Sequence, residues 1–169
     1  RADLWKLFFS DYWNIPKMLP KKPYLLVSSS METYMMKPFH EVVRFSGFAG
    51  YYKRDLQLLK NQLGDASESY TITSAFIEAI KHLANKNSGY DIVLRPHPVE
   101  NIEAWKISLE NIPNVYVIRE GSITPWVNNA FAIMHNGCAT ALEATISGKP
   151  VVFFLLCYRL STVTFPCYK

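Results

Sequence analysis

The sequence predicts an α/β fold built on a parallel sheet with helices on both faces. Strand-like and helix-like segments alternate regularly through the second half of the chain, which is the order that a parallel sheet requires. Two strand-like runs, FAIM (131–134) and VVFF (151–154), are apolar at successive positions, as strands covered on both faces are. Polar clusters follow the predicted strands, where open α/β sheets bind their ligands. We therefore predict a Rossmann-like, doubly wound sheet.

The first predicted strand covers residues 24–29 (YLLVSS), a short apolar run that ends in serines. The preceding segment, 1–23, carries a cluster of aromatic residues and then three prolines, and we interpret it as a linker or interdomain segment. Residues 31–50 show no sustained periodicity. Two helices are expected next, over 51–63 and over 69–86. The second helix is supported by four apolar residues at helical spacing: Ile72, Phe76, Ile80 and Leu83.

The remaining elements alternate strictly. Strands are predicted over 91–94, 114–118, 130–134 and 150–155, and helices over 101–109, 124–129 and 138–147. We expect residues 24–169 to form one Rossmann-like domain that is truncated at both ends, since the chain starts without Met and stops soon after a strand.

Composition excludes several classes of protein. The chain has 169 residues and a net charge of +4, and its 18 Lys and Arg residues are scattered, so no basic stripe indicates a nucleic-acid partner. The apolar run 151–157 is too short to span a bilayer. The three cysteines have neither zinc spacing nor an even count, which favours free thiols in the cytoplasm. No metal site is predicted, because no His and carboxylate residues have suitable spacing.

Four polar clusters lie where predicted strands end. They are Ser28–Ser30, Arg95–His97, Arg119–Ser122 and His135–Thr140. Because the carboxyl ends of parallel strands share one edge of the sheet, we expect these clusters to form one cleft. Ser28, Ser29 and His135 are therefore candidate ligand-binding residues of this cleft.

The stretch HNGCAT (135–140) is predicted to start a helix directly after a buried strand. Gly137 would let a ligand approach the backbone closely. The amides of residues 137–140 are expected to point outwards and to bind a phosphate, with a hydroxyl from Thr140. Glu143 follows on the same face and is a candidate for binding ribose hydroxyls.

The helix after HNGCAT is expected to pack Ala139, Leu142 and Ile146 against the sheet. The alternative interpretation of this region is an ordinary helix that Asn136 caps, with Glu143 on a solvated face. The pattern alone favours neither interpretation.

The stretch RPHP (95–98) places one histidine between two prolines. Pro96 and Pro98 restrict the backbone around His97, so this loop is expected to be extended and ordered before any ligand binds. Arg95 and His97 are both able to donate hydrogen bonds to a phosphate. The alternative is a surface turn in which His97 bonds only locally.

Taken together, RPHP (95–98) and HNGCATALEATISGKPVV (135–152) resemble the C-terminal, nucleotide-sugar-binding half of GT-B type glycosyltransferases. The likeness covers about residues 24–155. It is similar in particular to bacterial surface-carbohydrate and capsule-polysaccharide biosynthesis proteins, including the Kdo and sialic acid transferases of capsules. The second motif is shared with sugar-nucleotide 2-epimerases and teichoic-acid polymerases.

This resemblance implies roles for individual residues. His97, with Arg95 beside it, would contact the donor phosphate as the catalytic pair. The phosphate-binding turn would consist of Asn136, Gly137, Cys138 and Thr140, and Glu143 would bind the ribose. This sequence departs from the family at Cys138-Ala139, where related motifs often carry hydroxyls, and Thr140 remains as the nearby hydroxyl.

The function implied by the resemblance is transfer of a sugar from a nucleotide-activated donor, CMP- or UDP-linked, during surface or capsule polysaccharide synthesis. It implies no cofactor, and it implies a glycan acceptor bound by an N-terminal domain that this chain lacks. It also implies a place in the cytoplasm, with possible peripheral association at the inner face of the plasma membrane. The alternatives are a sugar-nucleotide 2-epimerase-like enzyme and a non-catalytic α/β interaction module.

Overall fold

The structure, a computed structural model, describes residues 19–31, 56–86 and 89–156. The strands are β1 (Tyr24–Ser28), β2 (Asp91–Arg95), β3 (Val115–Val117), β4 (Ala132–His135) and β5 (Val151–Phe153). The helices are α1 (Leu56–Lys86), α2 (Ile102–Ser108), α3 (Ile123–Asn129) and α4 (Thr140–Ile146). Residues 1–18 of the predicted linker segment and the start of the predicted 51–63 helix lie outside the described residues.

All five strands form one parallel sheet in the order β3-β2-β1-β4-β5. β1 lies in the centre, where Leu25 is level with Ile92 of β2 on one side and with Ala132 of β4 on the other. The predicted Rossmann-like α/β fold with a parallel sheet is confirmed. Each strand begins and ends within two residues of the bounds that the sequence predicts.

Alternating side chains of the central strands enter two separate cores. On one face, Leu25 and Val27 pack with Phe76 and Ile80 of α1 and with Trp105 of α2. This arrangement confirms the helical face that apolar spacing predicts for the second half of α1.

On the other face, Tyr24 and Leu26 pack with Trp126 of α3 and Ala144 of α4. The chain therefore crosses from one face of the sheet to the other between β3 and β4, as a doubly wound sheet requires. The Tyr24 hydroxyl donates to the Trp126 carbonyl at 2.7 Å, which fixes α3 against the central strand.

The helix starts follow capping chemistry that is visible in the sequence. Asn101 caps α2, because its side chain accepts from the amides of Glu103 (3.0 Å) and Ala104 (3.4 Å). Ser122 caps α3 by accepting from the amide of Thr124. These side chains satisfy amides that have no partner within the helix.

One helix replaces the two that were predicted before β2. α1 runs without a break from Leu56 to Lys86 and includes Gly64, where the sequence prediction places a loop. A single glycine costs only about 1 kcal/mol in a helix, and the segment around it contains no proline. Packing of the second half of α1 against the sheet is sufficient to keep the helix continuous.

The predicted packing of α4 is wrong. Leu142 and Ile146 are 66% and 78% exposed and Ala139 is also exposed, whereas the buried residue of this helix is Ala144. A helix of seven residues that lies over the edge of a sheet needs to bury only a narrow stripe, and that stripe contains one small residue.

The expected burial of β5 on both faces is also wrong, because Val152 and Phe153 are each more than half exposed. β5 is the last strand of the described sheet, and only β4 pairs with it there.

Among the helices that the structure describes, we find none with the length and apolar character needed to cross a bilayer.

Candidate functional site

The carboxyl ends of the central strands bring the predicted polar clusters to one edge. Ser28 at the end of β1 is level with Arg95 of β2 and with His135 of β4. The connections after β1 and β4 lead to opposite faces of the sheet, and this is the position where open α/β sheets form a ligand crevice. We use the name rim for the residues at the carboxyl ends of β1, β2, β3 and β4 and in the loops that follow. These residues are 28–31, 95–101, 118–122 and 135–140.

Asn136 joins the two sides of the crevice. Its Oδ1 accepts from the Ser30 amide at 2.8 Å, and its Nδ2 donates to the Ser30 carbonyl (3.4 Å) and to the sulfur of Met31 (3.1 Å). Asn136 therefore does not cap α4; Ala139 occupies the cap position, and no side chain bonds to the helix start there. The amide fixes the loop after β1 at a set distance from the turn after β4.

Ser28, Cys138 and Thr140 contact one another where the end of β1 lies beside the start of α4. The buried Ser28 hydroxyl donates to Thr140 Oγ1 at 3.2 Å, and the Cys138 thiol points at the Ser28 carbonyl at 3.9 Å. Because Ser28 donates and Thr140 accepts, the proton of the Thr140 hydroxyl remains available to a ligand. The structure thus brings together three of the residues that the sequence predicts for donor binding.

The turn between β4 and α4 is stabilised by His135. Gly137 adopts a φ of +110°, which favours glycine, and its amide donates to His135 Nδ1 at 3.1 Å. Burial lowers the pKa of His135, so its imidazole is neutral at pH 7 and can accept this bond. The expectation that the Gly137 amide points outwards is wrong, because His135 already binds it.

Glu143 lies on the exposed side of α4 and contacts α3. Its Oε2 accepts from the Thr124 hydroxyl at 3.2 Å, next to the cap residue Ser122. The other carboxylate oxygen has no partner among the described residues. The Glu143 side chain therefore lies beside the loop after β3, away from the contact between Ser28 and Thr140.

Arg95 is buried, with only 8% of its surface exposed. Its guanidinium donates to the carbonyls of Arg119 (3.1 Å), Glu120 (2.8 Å) and Gly121 (2.7 Å), and lies 5.1 Å from the centre of the Trp126 ring. Burial lowers the pKa of Arg95 to about 10, and the group is charged at neutral pH. Arg95 therefore holds the loop after β3, and direct contact with a phosphate would require it to leave these carbonyls.

His97 has the opposite environment. Pro96 is buried and anchors the loop, whereas His97 is exposed. Its Nδ1 accepts from the Val99 amide at 3.4 Å and its carbonyl accepts from the Glu100 amide at 2.9 Å. Within the described part of the chain, Nε2 has no hydrogen-bond partner. The turn thus presents one edge of the imidazole to solvent at the rim.

Glu100 belongs to the rim although no sequence pattern indicates it as a site residue, and it is only 3% exposed. Its carboxylate accepts from the Ser29 hydroxyl (2.7 Å), the Met31 amide (2.8 Å) and Trp105 Nε1 (2.7 Å). Ser29, predicted to bind the donor, is 1% exposed and donates its hydroxyl to Glu100. A lone Glu before a helix cap gives no sequence signal for this role, because all three donors are distant in the chain or lie across a turn.

Arg119 begins one of the four polar clusters that the sequence places at the strand ends, but no individual role was predicted for it. Its Nη2 donates to the carbonyl of Glu100 by a short hydrogen bond and to that of His97 at 3.4 Å. Its Nε is buried and has no partner among the described residues. Arg119 therefore fixes the 97–100 turn from the side of β3.

These contacts connect all four rim loops in sequence. Arg95 fixes the loop after β3, and Arg119 from that loop fixes the turn that carries His97. Glu100 of the same turn accepts a hydrogen bond from the loop after β1, and Asn136 joins that loop to the end of β4. The exposed imidazole is thus held on a preorganised frame. Among the described residues, no three His, Cys, Asp or Glu side chains converge as metal ligands would.

No protein-family model matches this sequence, and no curated protein matches it. A search of solved structures finds the co-structure of S. aureus MnaA with UDP, with a TM-score of 0.47 and 11% sequence identity. The match covers 84% of this chain and 28% of that chain, so this chain corresponds to about a quarter of that protein. At this identity, residue roles cannot be carried from one protein to the other.

Proposed function

We propose that this chain is the donor-binding part of a glycosyltransferase that acts in bacterial surface or capsule polysaccharide synthesis. The rim would bind a nucleotide-activated sugar, with CMP or UDP as the nucleotide. The observation that supports this proposal most directly is the frame around the crevice, which holds the exposed His97 and the Thr140 hydroxyl at level strand ends.

The proposed chemistry is electrostatic. When a sugar leaves its nucleotide, negative charge grows on the departing phosphate, and donors that are already in position lower the barrier. His97 Nε2 would donate to this phosphate, and the Thr140 hydroxyl and the free amides at the start of α4 would bind it from the side of β4. The crevice between β1 and β4 would hold the phosphate itself.

Arg95 and Ser29 have positioning roles in this proposal. Both side chains are buried and bonded within the protein: Arg95 to three carbonyls, Ser29 to Glu100. They would support catalysis by holding the rim loops, while His97 contacts the donor. Glu143 keeps one carboxylate oxygen free for a ribose hydroxyl, at the outer end of the site.

The test is a calorimetric titration of CMP and of UDP against the chain and against His97→Ala. We expect one nucleotide to bind and the variant to bind it about 10- to 100-fold more weakly, because a charge-assisted hydrogen bond contributes roughly 1.5–3 kcal/mol. His82→Ala, which changes an exposed histidine on α1, is the matched control and should bind as the unchanged chain does. Equal affinity for the chain and His97→Ala would remove His97 from the site, and no binding of either nucleotide would sink the donor-binding function.

The same rim would also serve a sugar-nucleotide 2-epimerase, since both enzymes bind the nucleotide and act on its sugar. Nucleotide titration does not separate the two. Assays of the full-length protein do: transfer of a sugar to a glycan supports the transferase, whereas conversion of UDP-GlcNAc without an acceptor supports the epimerase. Binding of the glycan acceptor by a separate N-terminal domain belongs to this proposal.

A further inference from the structure

Arg119 places a positive charge at the rim that no described carboxylate neutralises. The ion pairs among the described residues lie on α1 and α2 and do not include it. Glu120 is next in the chain, but its Oε2 accepts from the Arg119 backbone amide at 2.9 Å. Glu100 offers its backbone carbonyl to Arg119, while its carboxylate accepts from the loop after β1 and from Trp105. A partly buried cation without a counterion favours the binding of an anion.

The guanidinium of Arg119 has N–H donors that are not used within the protein. A guanidinium carries five such donors, and here Nη2 donates to the carbonyls of His97 (3.4 Å) and Glu100. Nη1 has no hydrogen bond in the described part of the chain, and it is not among the buried side-chain atoms without a partner, so solvent reaches it. The N–H donors of Nη1 are therefore open to a ligand.

These open donors lie beside the turn that carries His97. Nη1 and Nη2 belong to one planar fork, and Nη2 is held by two carbonyls of the 97–100 turn, so a group that binds Nη1 lies against the same turn. The exposed imidazole of His97 projects from that turn, and its Nε2 is without a partner among the described residues. A charged fork and an imidazole N–H are thus available to one ligand at the rim.

Arg95, the other arginine of the rim, is not available in this way. It is 8% exposed, and its two terminal nitrogens donate to three carbonyls of the loop after β3. A ligand that bound Arg95 would have to break these bonds. Of the two rim arginines, Arg119 is therefore the one that has an open nitrogen.

We propose that Arg119 binds a phosphate oxygen of the donor through Nη1, and that Arg119 is the cationic partner of His97 in place of Arg95. This inference rests on the proposed donor-binding function. A guanidinium matches a phosphate because its donors have a fixed geometry and carry a positive charge, which a neutral hydroxyl does not compensate. Two carbonyls already hold Nη2, so Arg119 loses little side-chain freedom when Nη1 binds the phosphate.

The experiment is a calorimetric titration of UDP, CMP and inorganic pyrophosphate against the chain, Arg119→Gln and Arg119→Lys. Pyrophosphate tests the anion contact without a base or a sugar. We expect Arg119→Gln to weaken pyrophosphate and the bound nucleotide about tenfold or more, because a charge-assisted hydrogen bond is lost. Arg119→Lys keeps the charge and should recover part of this affinity. Lys81→Gln removes a positive charge from α1, outside the rim, and is the matched control that should bind as the unchanged chain does.

A double-mutant cycle separates contact from positioning. If Arg119 binds the phosphate itself, Arg119→Gln should weaken pyrophosphate binding in the His97→Ala background as well as in the unchanged chain. A loss that occurs only when His97 is present would show that Arg119 merely positions the 97–100 turn, and it would overturn the proposed contact.

A spectroscopic measurement on the unchanged chain gives an answer even if Arg119→Gln does not fold. The side-chain Nε–H signal of Arg119, identified by its absence from the spectrum of Arg119→Lys, should shift when pyrophosphate is added to the ¹⁵N-labelled chain. An unmoved signal while pyrophosphate binds would overturn the contact.

The outcomes also separate this contact from the donor-binding function. Nucleotide binding that is equal in the chain and in Arg119→Gln removes Arg119 alone, whereas no binding of any of the three ligands removes both proposals. Pyrophosphate binding that depends on Arg119, without binding of either nucleotide, would support the contact and refute the donor function.

Discussion

The two ends of the sheet treat buried acidic residues in opposite ways. At the rim, Glu100 accepts three hydrogen bonds from a hydroxyl, an amide and an indole. At the amino end, Asp91 is 5% exposed as a whole residue, but its carboxylate oxygens are not among the buried side-chain atoms without a partner, so solvent reaches them. The Glu100 carboxylate is bonded within the protein and positions the rim loops, whereas the Asp91 carboxylate at the amino end is reached by solvent.

This difference separates two kinds of polar residue that look alike in a sequence. A buried polar group with every bond satisfied within the protein is part of the frame, as Arg95 and Ser29 are. A residue able to bind a ligand has an unused donor or acceptor that borders open space, and the exposed His97 meets this condition.

The largest expected effect comes from neutralising these two carboxylates in turn. Glu100→Gln should lower the free energy of unfolding by about 2–3 kcal/mol, because an amide NH₂ then faces groups that donate and leaves donors unpaired. Asp91→Asn should change the free energy of unfolding by less than about 0.5 kcal/mol, because solvent reaches the carboxylate oxygens that the change removes. Urea unfolding of both variants measures the difference, and equal losses would contradict the comparison.

A smaller change in stability is expected at Arg95 and His97, the two residues of the RPHP stretch that are not prolines. Arg95→Lys should cost about 2 kcal/mol, because an ammonium group cannot reach all three carbonyls or lie flat on Trp126. His97→Ala should change stability by less than about 0.5 kcal/mol, since its side chain is exposed. Thermal unfolding of the two variants checks this ranking, and a reversed order would make His97 the structural residue.

The smallest effect is a pH dependence that comes from His135. Burial holds its pKa below the ordinary value of 6.5, so the unfolded chain takes up the proton more readily than the folded chain. Stability from this group is therefore complete above pH 6.5 and declines below it, because the unfolded chain is protonated first. It is fully lost once the pH falls through the lower pKa of the folded state, where Nδ1 can no longer accept from Gly137. His135→Asn should show a weaker fall of the urea midpoint between pH 7.5 and pH 5 than the unchanged chain; an identical fall would rule this out.

Much of the fold was predictable from local patterns. The parallel sheet follows from alternating elements, and the face of α1 that carries Phe76 and Ile80 follows from helical spacing. The errors share a cause. Exposure of Leu142 and Val152 depends on their place at the sheet edge, and apolar periodicity cannot distinguish an edge from a centre.

The position of the polar strand ends was predictable from the sequence, but the contacts of the individual side chains were predictable only in part. Strand ends identify the rim because all parallel strands end on one side, so Ser28, Arg95 and His135 could be placed there in advance. Whether a polar side chain faces the crevice or bonds inwards depends on partners far away in the chain. The carbonyls bound by Arg95 and the donors around Glu100 are of this kind, and no single-sequence pattern contains them.

The central position of β1 has a consequence for how this protein reaches its structure. β1 is the first described strand in the chain, yet both of its partner strands come much later. Tyr24 pairs with Asp91 of β2, and Leu25 pairs with Ala132 of β4. Closing such long loops is slow, and sheets built from distant strands fold late. During synthesis the run YLLVS therefore emerges before either of its partner strands, and an apolar strand with two open edges is the kind of segment that promotes aggregation until those strands pair with it.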